Sequence, residues 1–177
     1  PEDIDIMLPY LKKIQNEIKF IIAPHIIEKQ EIIKLKNKLG EKAELYSNLN
    51  SKSIEKKRIL IIDSIGVLTK LYSYADIAYV GGGMGVNGLH NTLEAAVFSI
   101  PIIIGKNYER FPEAKEMIKL GGATSVSSVK SFQKVLDLLL NDENFRVERG
   151  NINKRYIDSN KGATKLILEK INSSINL

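Results

Sequence analysis

Short apolar runs alternating with segments of helical periodicity restrict this chain to one broad architecture. The runs lie at residues 18–23 (I-K-F-I-I-A), 58–62 (R-I-L-I-I), 76–80 (D-I-A-Y-V), 100–104 (I-P-I-I-I) and 123–126, with a shorter sixth at 43–46. Each is about the length of one strand. Ahead of the first, Ile4, Met7, Leu8, Leu11 and Ile14 recur at helical spacing and predict a helix over 3–17, with Pro9 early or at a kink. Ile32, Leu35 and Leu39 share a face in a second helix over 27–39, stopped by Gly40. The pattern predicts further helices over 68–74, 90–98, 113–120, 131–140, 142–156 and 163–171, and an exposed polar loop over 47–57. Strands separated by helices are βαβ units. Their right-handed crossovers build a parallel sheet covered on both faces. The expected fold is therefore α/β: a Rossmann-like, doubly wound parallel sheet, with residues 1–177 as a single domain.

Composition removes several alternatives. The chain is 44% hydrophobic, too much for a disordered segment, and its 177 residues suffice for one sizeable core. It has no Cys, which excludes a disulfide scaffold and a thiolate zinc site. No apolar run approaches the roughly 20 residues that span a bilayer. The net charge of +5 comes from 26 basic against 21 acidic residues. Lys12-Lys13, Lys34/Lys36/Lys38 and Lys56-Lys57 read as solvated faces. Base readout leans on Arg, and only 5 are present, with no interleaved aromatics, so no nucleic-acid partner is expected. The first residue is Pro1, and the expectation is a piece cut from a longer protein.

In open parallel sheets ligands bind beyond the carboxyl ends of the strands. The segments to inspect are Pro24-His25, residues 63–66, 81–91 and 105–110. Gly81-Gly82-Gly83-Met84-Gly85-Val86-Asn87-Gly88 holds five glycines in eight residues. Such a loop lets backbone approach a ligand, and the helix behind it is expected to aim N–H groups and its dipole at a phosphate. Asn91 and Glu94 share a face of that helix, where a carboxylate can bond adjacent sugar hydroxyls. Gly83 to Gly88 also fits G-x-G-x-x-G, but no acidic residue follows the next strand at the dinucleotide spacing. Gly105-Lys106 lacks the rest of a Walker loop. Asp3-Ile4-Asp5 sits at a helix start, where acids suit the dipole, and no metal site is expected. His25 and His90 are not spaced as ligands on one helix, and no nucleophile is placed for Ser/His hydrolysis.

Together these residues resemble the C-terminal half of the 3-deoxy-D-manno-octulosonic acid (Kdo) transferases, inverting glycosyltransferases of the B-type fold. The resemblance runs from about Ile18 to the end. It rests on Ala23-Pro24-His25, Asp63-Ser64-Ile65-Gly66-Val67-Leu68, Ala75-Asp76-Ile77-Ala78-Tyr79-Val80-Gly81-Gly82, Gly88-Leu89-His90-Asn91-Thr92-Leu93-Glu94-Ala95-Ala96, residues 105–114, and Gly121-Gly122-Ala123. The family usually has Arg where His25 stands, and one Gly and two Pro where Leu89, Thr92 and Ala95 stand.

The resemblance implies a donor, CMP-Kdo, held by Pro24, His25, Ser64, Ile65, Gly66, Gly81, Gly82, Gly83, Asn87, His90, Asn91, Leu93 and Glu94. Ser64-Ile65-Gly66 matches the turn that holds cytosine, Gly81-Gly82 and His90-Asn91 the phosphate side, and Glu94 the acid that binds ribose. It implies no cofactor and no metal. The general base, the lipid A precursor site and the membrane anchor belong to an N-terminal domain absent from this chain, and the segment just before Pro1 is expected to carry the first strand of the present domain and a donor-side Ser-Thr turn. This fragment is accordingly expected to be soluble and inactive alone, with the whole protein at the cytoplasmic face of a bacterial inner membrane. Two other readings stay open: the donor domain of another B-type enzyme, such as a UDP-sugar transferase or epimerase, and a non-catalytic nucleotide-binding module.

Overall fold

The computed structural model describes residues 2–14, 18–49, 57–86 and 88–175. Their elements are α1 (Glu2–Lys13), β1 (Phe20–Ile22), α2 (Lys29–Leu39), β2 (Ala43–Leu45), β3 (Ile59–Ile61), α3 (Leu68–Tyr72), β4 (Ala78–Val80), α4 (Leu93–Ala96), β5 (Ile102–Ile104), α5 (Pro112–Leu120), β6 (Ala123–Ser125), α6 (Val129–Asn141), α7 (Glu143–Ser159) and α8 (Ala163–Ile175). Tight 3-10 turns cover Gly40–Lys42 and Tyr46–Asn48. The loop expected over 47–57 begins inside the second turn, and its residues 50–56, like 15–17 of the first expected helix, lie outside the described residues.

Every strand pairing is parallel, as the βαβ pattern requires. The ladders form two three-stranded sheets, ordered β1-β3-β2 and β4-β5-β6. β3 is central in the first, with Ile59 opposite both Phe20 and Ala43. β5 is central in the second, with Ile102 opposite Ala78 and Ala123. All three isoleucines of β5 are buried, the signature of a strand covered on both faces.

One core joins the two sheets. Ile59 and Ile61 of β3, Ile103 of β5, Ile6, Met7 and Leu11 of α1, and Phe132, Leu136 and Leu139 of α6 form a single buried cluster. Burying each such side chain is worth about 1.5–3 kcal/mol. α1 lies on α6. That packing holds α1 together across Pro9, which cannot donate the usual bond to the carbonyl of residue 5. A second cluster gathers Val80, Ile102, Ile104, Ala95, Ala96, Ala114 and Met117 under α4 and α5.

Helix ends follow local chemistry. Ser128 and Ser131 make a reciprocal capping box at the start of α6, two residues ahead of the sequence expectation. Pro112 opens α5, and Gly121, at φ 95°, closes it in the left-handed region. α4 departs most from expectation. A helix over 90–98 is expected, and only the turn Leu93–Ala96 forms. Before it, the His90 N–H goes to the Gly81 carbonyl, and the Asn91 side chain caps the Leu93 N–H. After it, Phe98 and Ser99 donate three residues back, to Ala95 and Ala96, and Ser99 takes a positive φ of 60°. No helix among the described residues is long and apolar enough to cross a membrane.

Candidate functional site

The carboxyl ends of the two sheets meet. Pro24 and His25 follow β1, and the loop after β4 carries His90. The two imidazoles stack with centroids 4.5 Å apart and ring planes tilted by 35°. Beside β3, the Asp63 carboxylate accepts from the Ser47 backbone N–H at 2.9 Å and from its hydroxyl. That pairing fixes where the chain turns into Ser64-Ile65-Gly66. Gly66 sits at φ 89°. The Ser64 hydroxyl is buried without a partner among the described residues. A cavity of about 430 Å³ opens here, lined by Ile32, Leu45, Ser47, Asn48 and Asp63 among others.

The glycine loop is shaped by its own chain. Gly82 is at φ 89°, and a Cβ there would sit 2.1 Å from the Gly88 carbonyl oxygen. Gly83 and Gly105 bring the turns after β4 and β5 into backbone contact, so that a Cβ on Gly105 would lie 2.2 Å from the Gly83 carbonyl carbon. Asn107 ties the two turns, donating its backbone N–H to Gly83 at 2.8 Å and its amide to the Met84 and Gly85 carbonyls. Asp3 of α1 reaches over the loop. Its carboxylate accepts from the Gly82 N–H at 2.9 Å, the Met84 N–H at 3.3 Å and the Tyr79 hydroxyl at 2.7 Å. Burial, reinforced by that carboxylate, pushes the Tyr79 phenol well above its ordinary pKa. The loop N–H groups expected to face a phosphate thus include two that already serve Asp3. The expected helix dipole is also small, because α4 is one turn long.

α4 presents the expected pair. Asn91 Oδ1 accepts from the Leu93 N–H at 3.0 Å, and its amide donates to Glu94 Oε1 at 3.2 Å. Both side chains are exposed, while Thr92, Ala95 and Ala96 on the other side of the turn are buried. The Thr92 hydroxyl is buried and unpartnered among the described residues. Burial and the charge on His25 lower the His90 pKa, against opposing effects from Asp3 and Glu94. Ile65 and Val86, 90% and 96% exposed, stand on the loops after β3 and β4 as apolar surface. Asn87 lies outside the described residues. Asp3 and Asp5 do not converge: Asp5 pairs with Lys38 at 2.7 Å.

Sequence reasoning located His25, Ser64 and His90 after strands and Asn91 and Glu94 on one face of the following helix; the structure sets the first three on the loops after β1, β3 and β4, with Asn91 just ahead of α4 and Glu94 within it. It missed the stacking of the two histidines and the clamp by Asp3. Both join residues remote in sequence and carry no local signal. Asn107 stands in the segment 105–110 after β5, where no local pattern marks its tie to the glycine loop.

Parallel βαβ topology with loops gathered at the strand ends defines a Rossmann-like domain, and its structural neighbours are C-terminal domains of B-type glycosyltransferases. The C-terminal CMP-Kdo binding domain of WaaA from Acinetobacter baumannii superposes with TM-score 0.70 over 85% of this chain and 80% of that one, at 22% identity. The C-terminal domain of a group 1 glycosyl transferase (LpcC) from Francisella tularensis gives 0.58 over 92% of this chain and 78% of that one, at 20% identity.

In sequence, the chain is similar to a part of several 3-deoxy-D-manno-octulosonic acid (Kdo) transferases. It is 30% identical to the enzyme of Chlamydophila psittaci over 97% of this chain and 37% of that protein. Against the enzyme of Haemophilus influenzae it is 33% identical over 65% of this chain and 27% of that protein. It is also 31% identical to a bifunctional glycosyltransferase/methyltransferase of Fusobacterium nucleatum, over 97% of this chain and 27% of that protein. The chain thus spans well under half the length of these curated relatives. No family model matches it.

Proposed function

We propose that this chain is the donor-binding domain of an inverting Kdo transferase, which moves Kdo from CMP-Kdo to the lipid A precursor in lipopolysaccharide synthesis. The observation that carries this reading is the stacking of two imidazoles (His25, His90) where the end of β1 meets the loop after β4, beside a carboxylate and amide paired at one turn (Glu94, Asn91). Glu94, held by Asn91, accepts from the ribose hydroxyls. The Ser64-Ile65-Gly66 turn takes the cytosine. His25 and His90 face the phosphate. An acceptor hydroxyl attacks the anomeric carbon, the bond to the phosphate oxygen breaks, and CMP leaves through a transition state of oxocarbenium character. The domain's part is to bind the nucleotide and stabilise the charge gathering on that phosphate. The base that takes the acceptor proton, the acceptor surface and the membrane attachment belong to the rest of the protein, at the cytoplasmic face of a bacterial inner membrane.

Binding needs no metal in this reading, in keeping with the divergence of Asp3 and Asp5 to separate partners. Calorimetry with CMP, UMP and GMP tests it. CMP binds tightest and EDTA leaves its affinity unchanged. A preference for UMP or GMP rejects the Kdo assignment.

A further inference from the structure

A nucleotide phosphate needs positive charge, and the glycine loop supplies less than its sequence suggests. Two of its N–H groups hold Asp3, and the turn of helix behind it is too short to act as a dipole. Instead, the ends of β1 and the β4 loop bring two imidazoles into contact at 4.5 Å. His90 is the fixed member of the pair. His90 is anchored by its backbone N–H to the Gly81 carbonyl at 3.0 Å. The ring of His90 rests on Gly82, where a Cβ would come within 3.1 Å of its Cδ2. His25 is exposed, on the turn after Pro24.

Among the described residues, the charged or titratable groups facing His90 are His25 from the end of β1, Asp3 from α1 and Glu94 from α4. Asp3 is engaged by Tyr79, Gly82 and Met84, and Glu94 by Asn91. Their attraction does not offset burial and the neighbouring imidazole, and the His90 pKa stays below its ordinary value. At this separation a positive charge on one imidazole opposes a positive charge on the other. An anion set against both rings reverses that opposition.

We infer that the His25–His90 pair is a proton-linked phosphate clamp, which takes up a proton from solvent as the phosphodiester of the donor binds. The inference rests on the donor-binding reading above. It makes donor affinity fall as pH rises from 6 to 8, the range in which imidazoles discharge.

The test is calorimetry on the 177-residue chain with the methyl ester of CMP, whose single phosphodiester charge does not titrate in this range. Uncharged cytidine is the control. Running each titration in two buffers of different ionisation enthalpy counts the protons taken up. The expected result is about tenfold tighter ester binding at pH 6 than at pH 8, with net proton uptake and a flat cytidine profile. His25→Gln and His90→Gln each flatten the ester profile while cytidine affinity holds. A flat ester profile in the unaltered protein overturns the clamp and assigns the phosphate to a fixed charge such as Lys106, at the end of β5. A slope that persists in both variants overturns it equally. If the base preference for cytidine survives a flat profile, the clamp alone has failed. If the UMP ester binds better than the CMP ester, or neither ester nor cytidine binds, the donor reading has failed with it.

Discussion

Asp3 is the residue on which the glycine loop depends. A carboxylate accepting from two backbone N–H groups and a phenol makes three charge-assisted bonds at once. Asp3→Asn keeps the shape but sets an amide against one of those donors. It should cost about 1–3 kcal/mol in urea unfolding. An unchanged midpoint would show that the loop holds without the clamp. Tyr79 gives the pH dependence of the same contact. Its folded pKa is raised, so its contribution is fully present below the ordinary tyrosine value of about 10 and is lost as pH rises beyond it. Tyr79→Phe should make the alkaline limb of the stability curve shallower, read from melting temperatures between pH 9 and pH 11.5. Glu94 behaves in the opposite way. It is exposed, and its carboxylate accepts from the amide of its neighbour Asn91. Glu94→Ala should leave stability within about 0.5 kcal/mol. It should weaken CMP binding about tenfold in calorimetry, and unchanged affinity would remove the ribose role.

At the scale of elements, strands and long helices were legible because their periodicity is written in consecutive residues. Each apolar run contains one strand of the structure, and α2 and α5 end at the residues the pattern gave, Leu39 and Leu120. The segment after the glycine loop was misjudged. Its apolar and small residues fit a helix over 90–98, but bonds from His90 to Gly81 and from Leu93 to Asn91 delay the start, and Ser99 ends it. The glycines themselves were ambiguous. Their number suggested room for a ligand, whereas Gly83 and Gly105 are needed where two turns touch. Gly105→Ala should therefore destabilise the fold by about 1–3 kcal/mol or more, measured by chemical denaturation, because the intruding methyl meets backbone that cannot rotate away. Tolerance of alanine would mean that the turns separate easily. Ser128→Ala, at the capping box of α6, should cost about 1 kcal/mol in the same assay.

At the scale of the whole molecule, two three-stranded sheets share one core and bring their carboxyl ends together, which sets His25 against His90. Rossmann-like order, parallel pairing and the strand-end position of the candidate residues were all determined by the sequence itself, through local periodicity and the handedness of βαβ crossovers. The kinship with Kdo transferases was legible there too, in motifs that stand in order along the chain. Only the tertiary structure decided which carboxylate takes the N–H groups of the glycine loop and which side chains lie beside it. The reason is physical: Asp3 is 79 residues from Gly82, and such a contact is settled by the packing of α1 on the shared core.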